Sequence, residues 1–495
     1  MSEPRSSASI LVTRGTGEDL EVLLIERSPR LRFFGGYWAF PGGATETIDD
    51  RPGDQDLWNT ARRCAVRELV EETGLRCRGL AGDSARLRDL SERLHEDAGA
   101  VAEWSAILDA SWTRLREEIQ PVCRITTPEF APIRFSTEFV HLTLEADEPF
   151  RFNAHEIVQG RFVKPSEAVR NWVDGRQLIA PPVLFLLEIL AGHGLDNFRA
   201  VAAERAARFE QGDFHPARFS PGIFIAPLAS PTLPPARATN CLIVGTDRLY
   251  VIDPAAIAEE GQTKITRHLE RLVAAGARIE AILLTHHHRD HFGSAGLLAR
   301  RFGVPVRAHA ATFERLAHTD IEPGPTLQDG DVLELGTAPD GTPGWQLEAL
   351  YTPGHAPGHL CFMENRYRAA VVGDMLSTVS TIVIDPPEGH MATYLKSLER
   401  LQSLDIGMLY PAHGPAFRDG AQLVRHYLTH RRQREQMILK SLAAAPQSLA
   451  AILPQAYGDV AEEARPVALR SLLAGLEKLA EDGAARRAGE GWCLA

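Results

Sequence analysis

Cysteine is scarce in this chain: its 495 residues hold six, at 64, 77, 123, 241, 361 and 493, and no two form a CxxC pair. That scatter excludes a disulfide framework and a thiolate zinc site, and it fits a reducing cytoplasm. Long apolar runs are also missing. The longest uncharged stretch, Phe219 to Ala236, has the length of a membrane span but carries five prolines, so an extended, loop-rich segment is expected there and no membrane partner. Met1 to Ser9 contains Glu3 and Arg5 and no apolar run, so no secretory leader is expected. Positive charge is in deficit, with 53 Lys and Arg against 65 Asp and Glu, a net charge of −12. This balance argues against a sequence-independent grip on a phosphate backbone, whose affinity comes from clustered cations. No internal repeat is evident, which removes solenoids.

What is present is ordinary globular composition, 44% hydrophobic and 24% charged, in a chain long enough for about three domains. Strand-like segments at 9–13 and 21–26 precede a glycine-rich turn (Gly35, Gly36, Gly42, Gly43) and a helix over about 57–73. Residues 84–119, rich in Leu, Arg, Glu and Ala, read as a helical insertion before strands at 134–144 and 160–163. Ala180-Pro181-Pro182 opens a helix to Leu190, and a further helix over about 195–209 closes a first domain, 1–210. A proline-rich boundary follows over 211–235. From 236 to 418, strands at 241–244, 249–252, 280–284 and 304–308 alternate with helices, and strands at 346–351, 360–363 and 369–373 come after, the pattern of a layered α/β domain. Residues 419–495 give helices at about 421–442, 447–457 and 465–481 and a glycine-flanked hairpin at 484–494, a winged-helix pattern. The expected fold class is multidomain α/β.

The helix after the glycine loop carries Glu68, Glu71 and Glu72 at i, i+3 and i+4, inside one ~100° sector, while Val66, Leu69 and Val70 form an opposite core face. Like charges so spaced cost a helix roughly 0.2–0.5 kcal/mol per pair, so positive charge must offset them. A hard divalent ion does this; so does a solvated face pairing with Arg62, Arg63 and Arg67. Phe40-Pro41-Gly42-Gly43 followed by Arg67-Glu68-Leu69-Val70-Glu71-Glu72-Thr73-Gly74-Leu75 resembles the Nudix box. The resemblance implies an α/β/α sandwich in which Glu68, Glu71 and Glu72 bind Mg²⁺ or Mn²⁺, with Glu71 and Glu72 catalytic, to cleave a diphosphate joined to another moiety. The usual spacing from Gly43 lands on Asp49, and about ten extra residues then precede Arg67, leaving Asp49, Asp50 and Glu46 as alternatives for the box's first acid. The insertion, Ile133 to Phe139 and Leu178 to Pro182 together resemble the coenzyme A diphosphatase branch. Glu156, in a strand-flanking loop, stands where the Nudix resemblance implies a further acid, with a solvent-facing loop glutamate as the alternative.

The second constellation is Thr285-His286-His287-His288-Arg289-Asp290-His291, which follows the apolar run Ala281 to Leu284 and so sits at a strand's C-terminal end, where α/β sites are built. Spacing of i, i+2 in extended chain aims His286 and His288 the same way, a pinch that suits zinc. His355, Asp374 and His413 each follow a further apolar run. With Asp253 after Tyr250-Val251-Ile252, these residues resemble the motifs of the metallo-β-lactamase αββα sandwich. The resemblance implies two Zn²⁺ ions: His286, His288 and His355 hold one, Asp290, His291 and His413 the other, and Asp374 bridges. Asp290 is further expected to orient the attacking hydroxide, and Asp253 to brace the loop. Thr352 to His359 resembles the glyoxalase II pattern; His359 is expected either to support the ligands or to be a polar strand-edge residue, and His287 and His309 to be solvent-facing or core. The C-terminal segment, with His430 to Glu435, resembles the winged helix of lactamase-β-like proteins, and its run Arg431, Arg432, Arg434 has nucleic acid, a carboxylate or plain solvent as possible contacts.

These observations lead to a cytoplasmic bifunctional hydrolase with a small-molecule substrate, a coenzyme A derivative among the candidates. An RNA- or nucleotide-processing enzyme and a non-enzymatic nucleotide sensor are the alternatives, with nucleic acid disfavoured by the charge.

Overall fold

Near-continuous burial along the first strand, β1 (Arg5–Arg14), marks it as the centre of a sheet covered on both faces. The structure is a computed structural model that describes residues 3–31, 33–51, 56–128, 131, 133–145 and 151–495. Its contacts divide the chain into two units, Met1–Pro221 and Gly222–Ala495.

In the first unit β1 is followed by β2 (Glu21–Arg27), β3 (Trp38–Ala39), β4 (Gly42–Ala44), α1 (Leu57–Thr73), α2 (Ser84–Glu92), α3 (Ala98–Glu118), β5 (Gln120–Thr126), β6 (Phe135–Thr143), β7 (Ile157–Val163), α4 (Pro165–Val173) and α5 (Pro181–Glu210). The sheet runs β3-β2-β1-β6-β5, with β4 also on β1 and β7 on β2. β1 and β6 are parallel, from Arg5 opposite Phe135 to Thr13 opposite Thr143. Alternation along β1 sends Ile10 and Val12 into a core shared with α1, α2 and α3, and Leu11 into a second core shared with α4 and α5. The unit is therefore an α/β/α sandwich. The helical insertion is α2 and α3, anchored by Trp104, Leu108 and Leu115. The two expected helices after Pro181 are one segment broken at Gly194, whose φ of 67° and ψ of 171° are not helical. Strand β5 escaped the sequence reading: it carries Pro121 and, among the described residues, pairs with β6 alone, at the edge.

The second unit continues with β8 (Ile223–Ala229), β9 (Ala238–Val244), β10 (Arg248–Ile252), α6 (Glu259–Ala274), β11 (Arg278–Leu283), α7 (Arg289–Phe292), α8 (Ala295–Phe302), β12 (Val306–Arg307), α9 (Ala310–Leu316), β13 (Val332–Thr337), β14 (Pro343–Tyr351), β15 (Leu360–Glu364), β16 (Ala369–Gly373), α10 (Met391–Gln402), β17 (Met408–Pro411), β18 (Phe417–Arg418), α11 (Gly420–Ser441), α12 (Leu449–Ala456), α13 (Arg465–Glu481), β19 (Ala485–Ala488) and β20 (Gly491–Leu494). Five strands form one sheet, β12-β11-β10-β9-β8, and six form another, β13 to β18 in sequence order. The proline-rich stretch is more ordered than a plain loop, because β8 pairs along its whole length with β9 as an edge strand, where Pro227 costs little. The β19–β20 hairpin packs Trp492 against Ile438, Leu472 and Leu476 in a separate small core. All six cysteines are free and buried. No described helix is long and apolar enough to cross a membrane.

Candidate functional site: two acid-rich centres

β11 delivers the chain to Thr285 and the histidine run, and Asp253, at the end of β10, fixes how that run turns. Its carboxylate accepts from Thr285 N at 2.8 Å, from Thr285 Oγ1 at 2.7 Å and from His291 Nδ1 at 2.8 Å. The loop turns back into α7, and the histidines converge. His288 Nδ1 lies 2.9 Å from His286 Nε2 and 2.9 Å from His355 Nε2, which places three ring nitrogens around one point. A second group gathers Asp290, His291 and His413. Asp374, directly after β16, stands between them: its Oδ2 is 3.5 Å from His355 Nε2, and its Oδ1 is 3.4 Å from His413 Nε2 and 3.6 Å from His291 Nε2. Each sequence-derived residue of this set is thus brought together. His291 Nε2 and Asp374 Oδ1 are buried with no hydrogen-bond partner. Buried polar atoms left in that state mark a place for an ion.

The electrostatics separate the two groups. Burial and the neighbouring imidazoles push His286 well below its ordinary value; burial lowers His288, and takes His355 down to about 4. These three are neutral, with lone pairs free to ligate. Burial works against charge on His291 and His413 too, but is outweighed by Asp253, Asp374 and Asp290 at His291, and by Asp374 and Asp290 at His413, which rises to about 10. Burial also opposes charge on Asp290, yet His291 and His413 hold it at about 2.

In the first unit Asp56 caps α1 by accepting from Trp58 N at 3.0 Å, and Gly74, with φ of 68°, ends it. Val66, Leu69 and Val70 enter the core as expected. The acids, however, are not a solvated face, and Arg62 and Arg63 do not serve them. Arg62 donates to Ile119 O and Asn59, and Arg63 lies over the Trp112 ring. Arg67, 1% exposed, donates from Nη1 to Glu68 and Glu71 at 3.0 Å each, and from Nε and Nη2 to Asp49 at 3.1 and 2.8 Å. Among Glu46, Asp49 and Asp50, Asp49 is therefore the acid tied to the helix, fully buried against Arg67. Residues 52–55 of the adjoining insertion lie outside the described residues. Glu72 accepts from Gly42 N at 2.8 Å, with Arg27 3.8 Å away. A Cβ on Gly43 would meet Glu68 Oε1 at 2.2 Å, so a larger residue there would displace that carboxylate from its present place. Burial raises Glu68 to about 7 and Glu71 to about 8 against the pull of Arg67, and burial with the Glu68 charge holds Glu72 well above its ordinary value. Glu156 is exposed, but its charge adds to the rise at Glu68 and Glu72. Among the described residues, the groups whose ligand atoms converge within 4.8 Å of one another all lie in the second unit. Glu71 Oε1 is nonetheless buried and unpartnered, and an oxygen-rich set of raised carboxylates fits a hard cation.

Comparison with known families meets both centres. Residues 3–180 match the NUDIX domain, 234–413 the metallo-beta-lactamase superfamily, and 448–492 the beta-lactamase associated winged helix domain. The chain is a hydrolase built from these three domains. The lactamase-like protein notP of Aspergillus sp. (strain MF297-2) is 29% identical over 50% of this chain and 76% of its own length. Thioesterase pkgB of Emericella nidulans is 31% identical over 42% of this chain and 55% of its own length. A metallo-beta-lactamase family protein of Thermus thermophilus superposes with a TM-score of 0.45 at 25% identity, covering 55% of this chain and 99% of that one. Both main domain types use divalent metal, and His/Asp clusters to hold it are in place in the metallo-β-lactamase domain.

Around the metallo-β-lactamase centre, supporting residues add what the motifs left open. His359 is fully buried; its Nε2 accepts from Asp374 N at 3.1 Å and its Nδ1 meets Thr352 Oγ1 at 3.0 Å, so of its two readings the structure favours support of Asp374. A Cβ on Gly373 would strike the His359 ring at 2.7 Å, which ties that glycine to the contact. His355 Nδ1 donates to Val383 O at 2.8 Å, and His413 Nδ1 to Ala238 O at 3.1 Å, orienting each ring. Asn240 donates to Pro411 O and Gly414 O on either side of His413. His309 is an N-cap, accepting from Ala311 N at 3.2 Å. His287 meets Glu388 at 3.1 Å, and Glu388 also accepts from Arg315 at 2.8 Å. Sequence reasoning missed Asn240, Glu388 and Arg315, because no local motif surrounds them. The basic run on α11 is not a face offered to nucleic acid. Arg431 is buried and donates to Ile382 O, and Arg434 is buried with Asp459 at 2.8 Å, leaving Arg432 exposed beside Glu399.

Proposed function

We propose that the chain carries two independent metal-dependent activities: diphosphate cleavage in the Nudix domain and hydrolysis of small thioesters or esters at a dinuclear zinc centre in the metallo-β-lactamase domain, with acyl-coenzyme A compounds as the substrate class offering both bonds. The observation that carries it is Asp374, placed between two three-residue groups with a buried oxygen that makes no hydrogen bond and lies 3.4 Å from His413 Nε2 and 3.6 Å from His291 Nε2. In this reading His286, His288 and His355 would hold one ion and Asp290, His291 and His413 the other, with Asp374 a ligand within reach of both groups. Two such ions supply a more acidic water and a positive surface for the developing oxyanion. Asp290, held at about 2, stays ionised at any physiological pH and accepts a hydrogen bond from the attacking water, which suits orientation rather than proton storage. Asp253 and His359 keep His291 and Asp374 on station. In the Nudix domain Glu68, Glu71 and Glu72 hold Mg²⁺ or Mn²⁺, while Arg67 and Asp49 hold the helix-borne acids in register. The thioester preference rests on relatives named as thioesterases, pkgB of Emericella nidulans and the atrochrysone carboxyl ACP thioesterase of Aspergillus fumigatus. Cytoplasmic residence belongs to the same reading.

The test incubates the purified protein with an acyl-coenzyme A, a nucleotide sugar, a dinucleotide or short RNA, supplying Zn²⁺, Mg²⁺ or Mn²⁺, and identifies products by mass. Free thiol is the product expected from the dinuclear centre, and 4′-phosphopantetheine forms from the Nudix centre. Absence of both, with ready cleavage of a dinucleotide or RNA, replaces this reading with nucleotide or RNA processing.

A further inference from the structure

Beside the metal-binding loop lies a cavity of about 470 Å³ whose walls come from α7, α9 and the turn after β10. His287, Arg289, Phe292 and Arg315 face it, together with Ile257 and Leu316. Three of these belong to the histidine run or the first turn after it, and His287 shares Glu388 with His288, at 3.1 and 3.8 Å, so the cavity adjoins the ligands by chain connectivity as well as in space.

The lining is of two kinds. Ile257 and Phe292 give it apolar surface above the buried Leu316, and Ile257 is one of the large apolar side chains left exposed among the described residues, at 40%. Water gains nothing from that surface, whereas an alkyl or pantetheine-like chain does. The cations differ in their commitments. Arg315 is spent on Glu388, at 2.8 Å, which also engages His287. Asp320, the acid of the lining, is spent on Arg300 at 2.9 Å. Arg289 sits between the metal ligands His288 and Asp290 in sequence, is exposed, and has no ion-pair partner among the described residues. The lining thus ends in one uncommitted guanidinium next to an apolar wall.

We propose that this cavity is the subsite for the distal part of the substrate, and that Arg289 selects for an anionic group, carboxylate or phosphate, carried at the end of an apolar chain. The proposal rests on the thioesterase reading of the dinuclear centre and names its substrate class. Two sources supply such an anion: a carboxylate on the acyl half, or the phosphates on the coenzyme half.

Four thioesters separate them: butyryl and glutaryl thioesters of N-acetylcysteamine, which has no phosphate, and the same acyl groups on coenzyme A. The readout is the ratio of kcat/KM, anionic over neutral partner, for the zinc-loaded wild type, Arg289→Ala and Arg289→Lys. Loss of one charge-assisted contact lowers the ratio about tenfold or more in Arg289→Ala, and Arg289→Lys recovers part of it. A fall in the glutaryl-to-butyryl ratio assigns the acyl carboxylate; a fall in the coenzyme-to-cysteamine ratio assigns the phosphate. A purely structural role for Arg289 lowers all four rates together and leaves both ratios unchanged, which overturns the proposal. If none of the four is hydrolysed, the thioesterase reading fails, and calorimetry with glutarate and with coenzyme A decides the subsite alone: binding of either weakened about tenfold in Arg289→Ala supports it, and equal binding by wild type and variant overturns it.

Discussion

The two centres meet the same demand, several ligands for a divalent cation, in opposite ways. In the metallo-β-lactamase domain seven candidate ligand residues converge, and three are neutral imidazoles whose nitrogens already face one point. In the Nudix domain the chain provides its own cation: Arg67 is buried among Asp49, Glu68 and Glu71. Neutral donors can be packed together at little electrostatic cost, so histidines are poised before any ion arrives. Carboxylates cannot, since three buried anions repel, and a guanidinium at their base lets the helix form. The lesson is that ligand type dictates how far a metal centre can be assembled by folding alone.

The comparison breaks most visibly at Asp374. Replacing it with alanine removes the residue that touches both clusters, and thioester turnover should fall to background while Mg²⁺-dependent diphosphate cleavage persists. Loss of both in a folded variant, checked by circular dichroism, would show that the centres are not independent. Next in size is Arg67→Met. It strands the buried Asp49 and two glutamates, a loss of about 3–5 kcal/mol of folding stability for the first unit. Urea unfolding measures this, and Asp49→Asn in the same background should return part of the loss. A change under about 1 kcal/mol would mean the acids are already offset by another group.

Asp253→Asn keeps the shape but weakens the hold on His291 and Thr285, and turnover at the dinuclear centre should drop about 10- to 100-fold. An unchanged rate would reduce Asp253 to a loop brace with no bearing on the ligand. The smallest expected effects are in pH dependence, and they differ in origin between the domains. Glu68 and Glu71 sit at about 7 and about 8 when folded and near 4.5 when unfolded. Between those values the folded unit binds more protons, so metal-free stability falls as pH rises from about 4.5 to about 8. Mg²⁺ takes the ionised form, so the rise in Tm that it produces should grow across the same window. In the second unit, His286, His288 and His355 are neutral already, whereas His413, at about 10, must lose a proton before it ligates. Calorimetry in buffers of different ionisation enthalpy should therefore find one zinc bound without proton release and a second whose affinity rises with pH.

Part of this arrangement is legible in the sequence. The α1 glutamates announce themselves by i, i+3, i+4 spacing, and the histidine run by its position after an apolar strand. Periodicity also draws most helices, including the two halves of α5. It misses β5, where Pro121 and a single pairing partner blur the alternation. It also leaves the role of Arg67 as one option among three arginines, because a helical wheel ranks Arg62, Arg63 and Arg67 by angle and cannot say which of them closes on the acids.

Local spacing determined which residue types stand together along the chain, since side-chain period follows from backbone geometry within one element. That was enough to line up candidate ligand types on each motif and for the α/β character of both main domains, while their assignment to metal came from the resemblance to the Nudix and metallo-β-lactamase motifs. Only the tertiary structure decided what comes from far away: Asp49 closing on Arg67, His359 holding the Asp374 amide, Asn240 pinning the strand end beside His413, and Arg315 and Glu388 committing each other and leaving Arg289 uncommitted. Such pairings depend on which loops the sheets bring to one end. That is set by strand order and by the packing of cores drawn from residues scattered along the sequence, and no short window of sequence contains it.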